Sequence, residues 1–190
     1  MSRMKPILPI IAGIALFAAA TSCSSDDNNW YDYSEWYKTN DAWYTRMKDS
    51  IDASGHNYFT ELKPAWNNKC GVLIHYFNDR RLTQNNLSPL ETSTVDVKYL
   101  GEFYNKVPFD SSYANTADYG DSLYRCRVSD NILGWQVALN AMHVGDSVDV
   151  VIPYYMAYGV EGQGTIPPYT ALRFHIKLVD IPAYELRNPE

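Results

Sequence analysis

The clearest strand pattern in this sequence is Leu172-Arg-Phe-His-Ile-Lys-Leu178, in which apolar and polar side chains alternate. Because successive side chains of a β-strand point to opposite faces of the sheet, this period of two predicts a strand with one buried face. Related patterns at 95–99 and 148–152 predict two further strands, and residues 71–77 predict one with both faces partly covered. The C-terminal part of the chain is therefore predicted to contain a β-sheet.

One helical segment lies between these predicted strands. Residues 131–142 place four apolar side chains on one helix face, namely Trp135, Ala138, Leu139 and Met142, and Gly145 follows as a helix-ending residue. Residues 103–109 predict a turn into another strand, and residues 111–122 predict a long exposed loop. Strands, one short helix and a closing strand together predict an α+β domain with a mainly antiparallel sheet.

An aromatic-rich segment with a helical period precedes this domain. Its apolar positions are Tyr33, Tyr37, Tyr44, Met47 and Ile51, with Trp36 and Trp43 beside them. Turn residues at Ser54-Gly55 end the helix, and residues 56–68 are predicted to be a connector. We expect the aromatic face to pack against the domain. Homodimerisation and glycan binding through Trp30, Trp36 and Trp43 are the alternatives.

The N-terminus has the pattern of a bacterial export signal. Arg3 and Lys5 supply positive charge, and the apolar run 7–20 is shorter than the ~20 residues that span a bilayer as a helix. Small residues at 20–22 lead into Cys23, which resembles a lipobox whose cysteine is diacylated. The polar, acidic residues 24–29 resemble the tag of surface lipoproteins of the Bacteroides group. We expect an exported protein, lipid-anchored at Cys23 to the bacterial outer membrane on its periplasmic or surface face. An ordinary signal peptide is the alternative.

Charge and composition exclude several function classes. Without residues 1–22, two of the 16 basic residues are lost and all 22 acids remain, so the net charge changes from −6 to −8. Such a surface argues against nucleic acid as a partner. The four histidines are scattered, and the glycine-rich run 159–164 leads into Thr165-Ile-Pro-Pro168 rather than into a phosphate-binding helix. No metal and no cofactor are expected. Cys70 and Cys126 could form a disulfide or remain buried thiols.

An ordered series of short motifs runs through residues 69–182. It consists of Val95-Asp-Val-Lys-Tyr99-Leu-Gly101, Phe109-Asp-Ser-Ser112, Ile132-Leu-Gly-Trp135, Met142-His-Val-Gly145-Asp146, Ile152-Pro153, Ala157-Tyr-Gly159, Ile166-Pro-Pro168 and Leu172-Arg-Phe174. No motif is specific alone, but in this order they resemble the FKBP-type peptidyl-prolyl cis-trans isomerases. The resemblance implies an FKBP-like twisted antiparallel β-sheet wrapped around a short α-helix, here with an N-terminal helical extension, and an apolar pocket between helix and sheet.

The resemblance also implies roles for eight residues of the pocket. Trp135 corresponds to the floor, and Tyr99, Phe109 and Phe174 to the walls. The Ile132 backbone N–H and the Tyr158 hydroxyl are implied to bind the peptide. Ile166 is implied to lie on the flap above the pocket, and Asp110 to be a buried carboxylate beside the prolyl amide. A further wall is either Tyr124 or Cys126.

The implied function is cis-trans isomerisation of X-Pro bonds in proline-containing polypeptides, by non-covalent catalysis. Asn131 and Thr165 depart from the aliphatic residues usual in the family, so we expect retained activity with an altered preference for the residue before proline. A non-catalytic FKBP-like chaperone or peptide-binding lipoprotein is one alternative, and a glycan-binding surface lipoprotein is another. The expected divisions are a signal peptide at 1–22, a tether at 23–29, a helical extension at 30–68, the isomerase domain at 69–182 and a tail at 183–190.

Overall fold

A computed structural model describes residues 29–114 and 122–183 of the chain. The predicted signal peptide, Cys23, residues 24–28 of the tether, the middle of the predicted exposed loop and residues 184–190 lie outside the described residues. Among the residues that are described, no helix is both long enough and apolar enough to cross a membrane.

Seven strands of the described chain form one sheet in which every paired neighbour is antiparallel. The strands are β1 (Thr60–Leu62), β2 (Val72–Tyr76), β3 (Thr94–Glu102), β4 (Pro108–Ser111), β5 (Tyr124–Arg127), β6 (Ser147–Ile152) and β7 (Leu172–Ala183). Their spatial order is β1-β2-β6-β7-β3-β4, and β5 pairs with the first half of β3. Two helices complete the fold, α1 (Asn29–Lys48) and α2 (Leu133–Asn140). The predicted α+β class is confirmed.

Helix α2 packs on one face of the sheet and closes the main core. Its predicted core residues Trp135, Ala138 and Leu139 are buried, as is Met142, which was predicted on the same helix but lies beyond its end at Asn140. They join inward-facing residues of the long central strands, including Val95, Val97, Phe174 and Ile176. The period of two in β3 and β7 therefore directs one side of each strand onto the helix, as predicted.

Helix α1 packs on the other face of the sheet. Trp43 is only 5% exposed and contacts a second cluster that includes Leu73 of β2 and Val151 of β6. Each of these strand residues lies between neighbours that point into the main core, so the cluster is on the opposite face. The prediction that the aromatic helix packs onto the domain is confirmed, and the same contacts explain why β2 is covered on both faces.

Two details of the N-terminal segment differ from the sequence prediction. Ile51 does not belong to the buried face, because α1 ends at Lys48 and Ile51 forms an isolated antiparallel bridge with Asn57, where it is 65% exposed. Residues 60–62, predicted as part of a connector, form β1 and pair with β2. A strand of three residues is too short to show a period, so β1 could not be predicted from its sequence pattern.

Ion pairs occupy the polar positions of several strands. Asp149 is fully buried and binds the guanidinium of Arg173 in a two-pronged ion pair, with Arg173 Nε 2.9 Å from Asp149 Oδ1. Asp96 on β3 binds Arg125 on β5 in the same way. The alternating polar residues of these strands are therefore not simply solvated, because cross-strand partners compensate their burial.

The structure also shows the surroundings of the two strand histidines and of the thiols of Cys70 and Cys126. His75 and His175, which alternate with apolar neighbours in their strands, are half-buried. The His75 ring stacks on Tyr58 with 3.9 Å between centroids, and His175 Nε2 lies 3.4 Å from a Glu102 carboxylate oxygen. Cys70 and Cys126 are free thiols packed against the core, so they form no disulfide with each other in this structure.

Candidate active site

A cavity of about 380 Å³ opens between the start of α2, strands β3 and β4, and the loop that follows β6. Its lining consists of Tyr99, Phe109, Asp110, Tyr124, Asp130, Asn131, Ile132, Trp135, Tyr158, Gln163 and Phe174. Seven of the eight residues predicted from sequence are therefore brought together. A cavity of about 340 Å³ beside the exposed face of α2 contains none of the eight.

The floor of the cavity is an aromatic box. Trp135 is 4% exposed and stands edge-to-face against Tyr99, with centroids 5.1 Å apart, and against Phe174, at 5.3 Å. Phe109 is perpendicular to Phe174 at 5.5 Å. Edge-to-face contacts of this kind hold aromatic rings in fixed relative orientations. The four rings therefore give the cavity a rigid apolar base.

Gly101 on β3 makes this arrangement of rings sterically feasible. It pairs with Phe174 on one side and with Asp110 on the other. A Cβ at Gly101 would lie 2.7 Å from Phe109 Cζ and 2.9 Å from Phe174 Cε1, closer than side-chain carbons approach one another. The sequence motif contained this glycine, but its role is visible only once the two rings are placed around it.

Asp110 lies at the mouth of the cavity. Its carboxylate accepts hydrogen bonds from the Tyr99 hydroxyl at 2.6 Å and from the Ser111 backbone N–H at 2.8 Å. The expectation that this carboxylate is buried is wrong, because Asp110 is exposed: on β4 the neighbouring Phe109 takes the inward position. The carboxylate nevertheless joins the rim of the cavity to one of its aromatic walls.

The two tyrosines of the predicted site remain protonated donors at neutral pH. Burial raises the pKa of Tyr99, and the hydrogen bond to Asp110 raises it further. Burial also raises the pKa of Tyr158, with the negative charge of Asp110 as the second cause. In both cases the neutral hydroxyl is favoured over the phenolate.

Three hydrogen-bond donors that line the cavity have no acceptor among the described residues. They are the backbone N–H of Ile132, the hydroxyl of Tyr158 and the indole Nε1–H of Trp135. Ile132 occupies the position immediately before α2, where a helix leaves backbone N–H groups unpaired. The Trp135 Nε1–H is buried, and leaving a buried donor unpaired costs free energy that an acceptor from a bound peptide would remove.

Residues around Ile132 hold the start of α2. The Asn131 side-chain amide donates to the Arg127 carbonyl at 2.8 Å, and the Gln136 amide donates to the Asn131 carbonyl at 2.7 Å. Asn131, which departs from the usual aliphatic residue, therefore stabilises the turn that presents the Ile132 N–H.

The loop after β6 differs from the prediction in one residue. Ile166 is buried in the main core and does not line the cavity. Its neighbour Gln163, which exchanges two backbone hydrogen bonds with Ile166, supplies the lining side chain instead.

Of the two candidates for a further wall, Tyr124 lines the cavity and stands edge-to-face to Tyr99 at 5.6 Å, whereas Cys126 does not line it. Sequence reasoning missed Gln163 and Asp130, since exposed polar loop residues have no pattern that marks them.

Comparisons with known proteins agree with this geometry. Residues 86–179 match the family described as FKBP-type peptidyl-prolyl cis-trans isomerase. The FKBP-type 22 kDa peptidyl-prolyl cis-trans isomerase of Escherichia coli (strain K12) is 36% identical over 96 residues, which are 49% of this chain and 43% of that protein. FkpA of the same strain is 34% identical over 94 residues, 50% of this chain and 33% of that protein. The chain thus spans less than half the length of these curated relatives.

Solved structures show the same fold. A peptidyl-prolyl cis-trans isomerase from Pseudomonas syringae pv. tomato superimposes with a TM-score of 0.61 at 25% identity, covering 78% of this chain and 95% of that one. The crystal structure of E. coli FkpA superimposes with a TM-score of 0.64 at 21% identity, over 81% of this chain and 62% of that one. The described domain has an antiparallel sheet around a short helix with an aromatic cavity between them, which is the arrangement that the family resemblance implied. Residues 86–179 are thus similar in sequence to the FKBP-type peptidyl-prolyl cis-trans isomerases, and the domain that contains them has the fold of the solved isomerase structures.

Proposed function

We propose that the whole protein accelerates rotation about X-Pro peptide bonds in proline-containing polypeptides, and that the aromatic cavity is the catalytic site. The observation that carries the proposal is the combination of a rigid aromatic base with unpartnered donors around it. The base fits the apolar ring of a proline, and the donors fit carbonyl groups of the flanking chain.

The chemistry requires no proton transfer and no bond cleavage. Resonance in the planar amide creates a rotation barrier of ~18–20 kcal/mol. The twisted amide has lost part of this resonance and is less polar than the planar one, so an aromatic base that displaces water favours the twisted state. Each ~1.4 kcal/mol of differential stabilisation accelerates rotation about tenfold.

The polar groups have separate roles in this mechanism. The Ile132 N–H and the Tyr158 hydroxyl bind peptide carbonyls and orient the proline over Trp135. Asp110 fixes the Tyr99 wall through its 2.6 Å hydrogen bond. Its negative charge at the rim also stabilises the amide carbon, which becomes electron-poor when nitrogen no longer donates to it.

The first test is two-dimensional NMR exchange on a short Phe-Pro peptide, with purified wild-type protein and the variant Asp110→Leu. We expect wild type to accelerate cis-trans exchange and the variant to lose about tenfold in kcat/KM, because it removes the acceptor of the Tyr99 hydroxyl. Glu35→Gln, which removes one negative charge from the exposed side of α1, is the matched control and should match wild type.

The opposite result has a defined meaning. If wild type gives no acceleration while the peptide resonances still shift on titration, the cavity is a binding site without turnover. The protein would then be a non-catalytic chaperone or peptide-binding lipoprotein.

We further propose that the protein is exported and held at the outer membrane, on its periplasmic or surface face, by acyl chains on Cys23. The charged start, the short apolar run and the small residues before Cys23 support this proposal. Two acyl chains suffice for stable anchoring, since each buried CH₂ contributes about 0.8 kcal/mol. The divisions at 1–22 and 23–29 belong to the same proposal.

Fatty-acid labelling of cells that express the variant Cys23→Ser tests the anchor. Wild type should be labelled and sediment with membranes, whereas the variant should be unlabelled and released. Cys70→Ser is the control and should keep the label. Membrane retention of Cys23→Ser would contradict the proposal.

A further inference from the structure

The loop between β6 and β7, residues 153–171, is called the flap loop here. It supplies Tyr158 and Gln163 to the cavity. Three of its glycines, Gly159, Gly162 and Gly164, have positive φ angles of 65°, 69° and 56°. The loop has only a single helical turn of regular structure, so the sheet alone does not fix where its central part lies.

Helix α1 contacts the flap loop at both of its ends. The Trp36 indole Nε1–H donates to the Thr170 hydroxyl at 2.9 Å, and the buried Asn40 side-chain oxygen accepts from the Ala171 backbone N–H at 3.1 Å. The Tyr37 ring stands edge-to-face between Tyr154 and Tyr169, 5.8 Å from each centroid. The helix therefore binds the beginning and the end of the loop at once.

Hydrogen bonds inside the flap loop connect these anchored ends to the residues of the cavity. The Thr170 hydroxyl, which accepts from Trp36, donates to the Pro167 carbonyl at 2.6 Å. The Tyr169 N–H donates to the Gly159 carbonyl at 2.9 Å, and Gly159 is next to Tyr158. The Gly162 N–H then donates to the Tyr158 carbonyl at 3.1 Å. A movement of the anchored end would therefore move Tyr158.

We propose that α1 is a positioning element for the active site: Trp36, Tyr37 and Asn40 set the flap loop so that Tyr158 and Gln163 face the substrate. These three residues lie outside the segment 86–179 that matches the isomerase family, and none of them lines the cavity. The inference rests on the proposed function, since the substrate in question is the peptide of that reaction.

The double variant Trp36→Phe/Tyr37→Leu tests this inference. Phenylalanine keeps an aromatic ring against Phe103 and Tyr104 but removes the donor to Thr170, and leucine removes both tyrosine contacts. We expect kcat/KM to fall about five- to tenfold, mainly through KM, because the flap loop binds the peptide. The backbone amide resonances of Gly162 and Gly164 should shift in the same variant.

Met47→Ala is the matched control. Met47 lies on the same helix and packs against the cluster around Trp43, which includes Ala171 at the last position of the flap loop, but its side chain makes no hydrogen bond or ring contact to that loop. It should lower the thermal midpoint at least as much as the double variant, yet leave kcat/KM and both glycine resonances close to wild type.

The outcomes distinguish the proposed isomerase function from the proposed positioning role of α1. An inactive wild type would refute the proposed function, while the glycine resonances would still report whether α1 positions the flap loop. An active wild type with unchanged kcat/KM and unchanged glycine resonances in the double variant would overturn the role of α1. Equal loss of kcat/KM in Met47→Ala would also overturn it, since that loss would reflect general destabilisation.

Discussion

Replacing Gly101 with valine is expected to reduce kcat/KM for X-Pro isomerisation between about tenfold and a hundredfold, which corresponds to ~1.4–2.7 kcal/mol. The added carbons would occupy the space between Phe109 and Phe174, where a Cβ alone would approach both rings within 2.9 Å. Phe174 is held in the core by Trp135 and Tyr99, so the half-buried Phe109 ring must move. Such a movement opens or fills the cavity and removes its fit to proline.

Gly101→Ala should lose less activity than Gly101→Val, because alanine adds only the first carbon. Lys98→Val on the same strand is the control, since it adds a β-branched residue to β3 at a position that does not line the cavity. Rates from exchange NMR and unfolding midpoints in urea should be measured for all three. Unchanged kcat/KM in a folded Gly101→Val protein would show that the cavity between these rings is not the catalytic site.

A large loss of stability is expected for Gly134→Val in α2. A Cβ at Gly134 would meet Ile152 of β6, with 2.7 Å to Cδ1 and 2.9 Å to Cγ1. Both residues are buried at the contact between helix and sheet, so the added carbons must separate α2 from β6. We expect the free energy of unfolding to fall by about 3 kcal/mol, at the upper end for overpacked cores. Urea unfolding provides the measurement.

A double-mutant cycle with Ile152→Ala distinguishes this contact from a general effect of valine in a helix. Ile152→Ala alone should cost about 2–5 kcal/mol because it leaves a cavity. In that background the valine at 134 should be neutral or stabilising, since it fills the space that was vacated. Additive losses in the double variant would contradict the proposed packing.

The sequence was sufficient to predict the elements that have a strong period. β3, β6, β7 and α2 were located from alternation or from a helical face, because burial on one side of a regular element repeats along the chain. The motif resemblance also predicted eight pocket residues, and seven of them line one cavity in the structure. These predictions succeeded because the periodic burial pattern of an element and the order of the motifs are both properties that a single sequence shows directly.

The errors concern contacts between elements. Ile166 was expected above the pocket and lies in the core, and Asp110 was expected to be buried and lies at the rim. In each case the residue type permits both positions, and only the path of the surrounding chain decides. The hydrogen bonds between α1 and the flap loop join positions such as Trp36 and Thr170, whose pairing leaves no periodic signal in the sequence.

The central pairing in the sheet also determines when the domain can fold. β3 is bound on one edge by β7, the last strand of the described chain, with partners such as Tyr99 and Ile176. Contacts between such distant positions form slowly, because a long loop must first be closed. While the ribosome is still adding β7, the hydrophobic core has no closing wall and the earlier strands stay open. A chain exported as proposed would therefore stay unfolded, and able to thread through a secretion channel, at least until β7 has been synthesised.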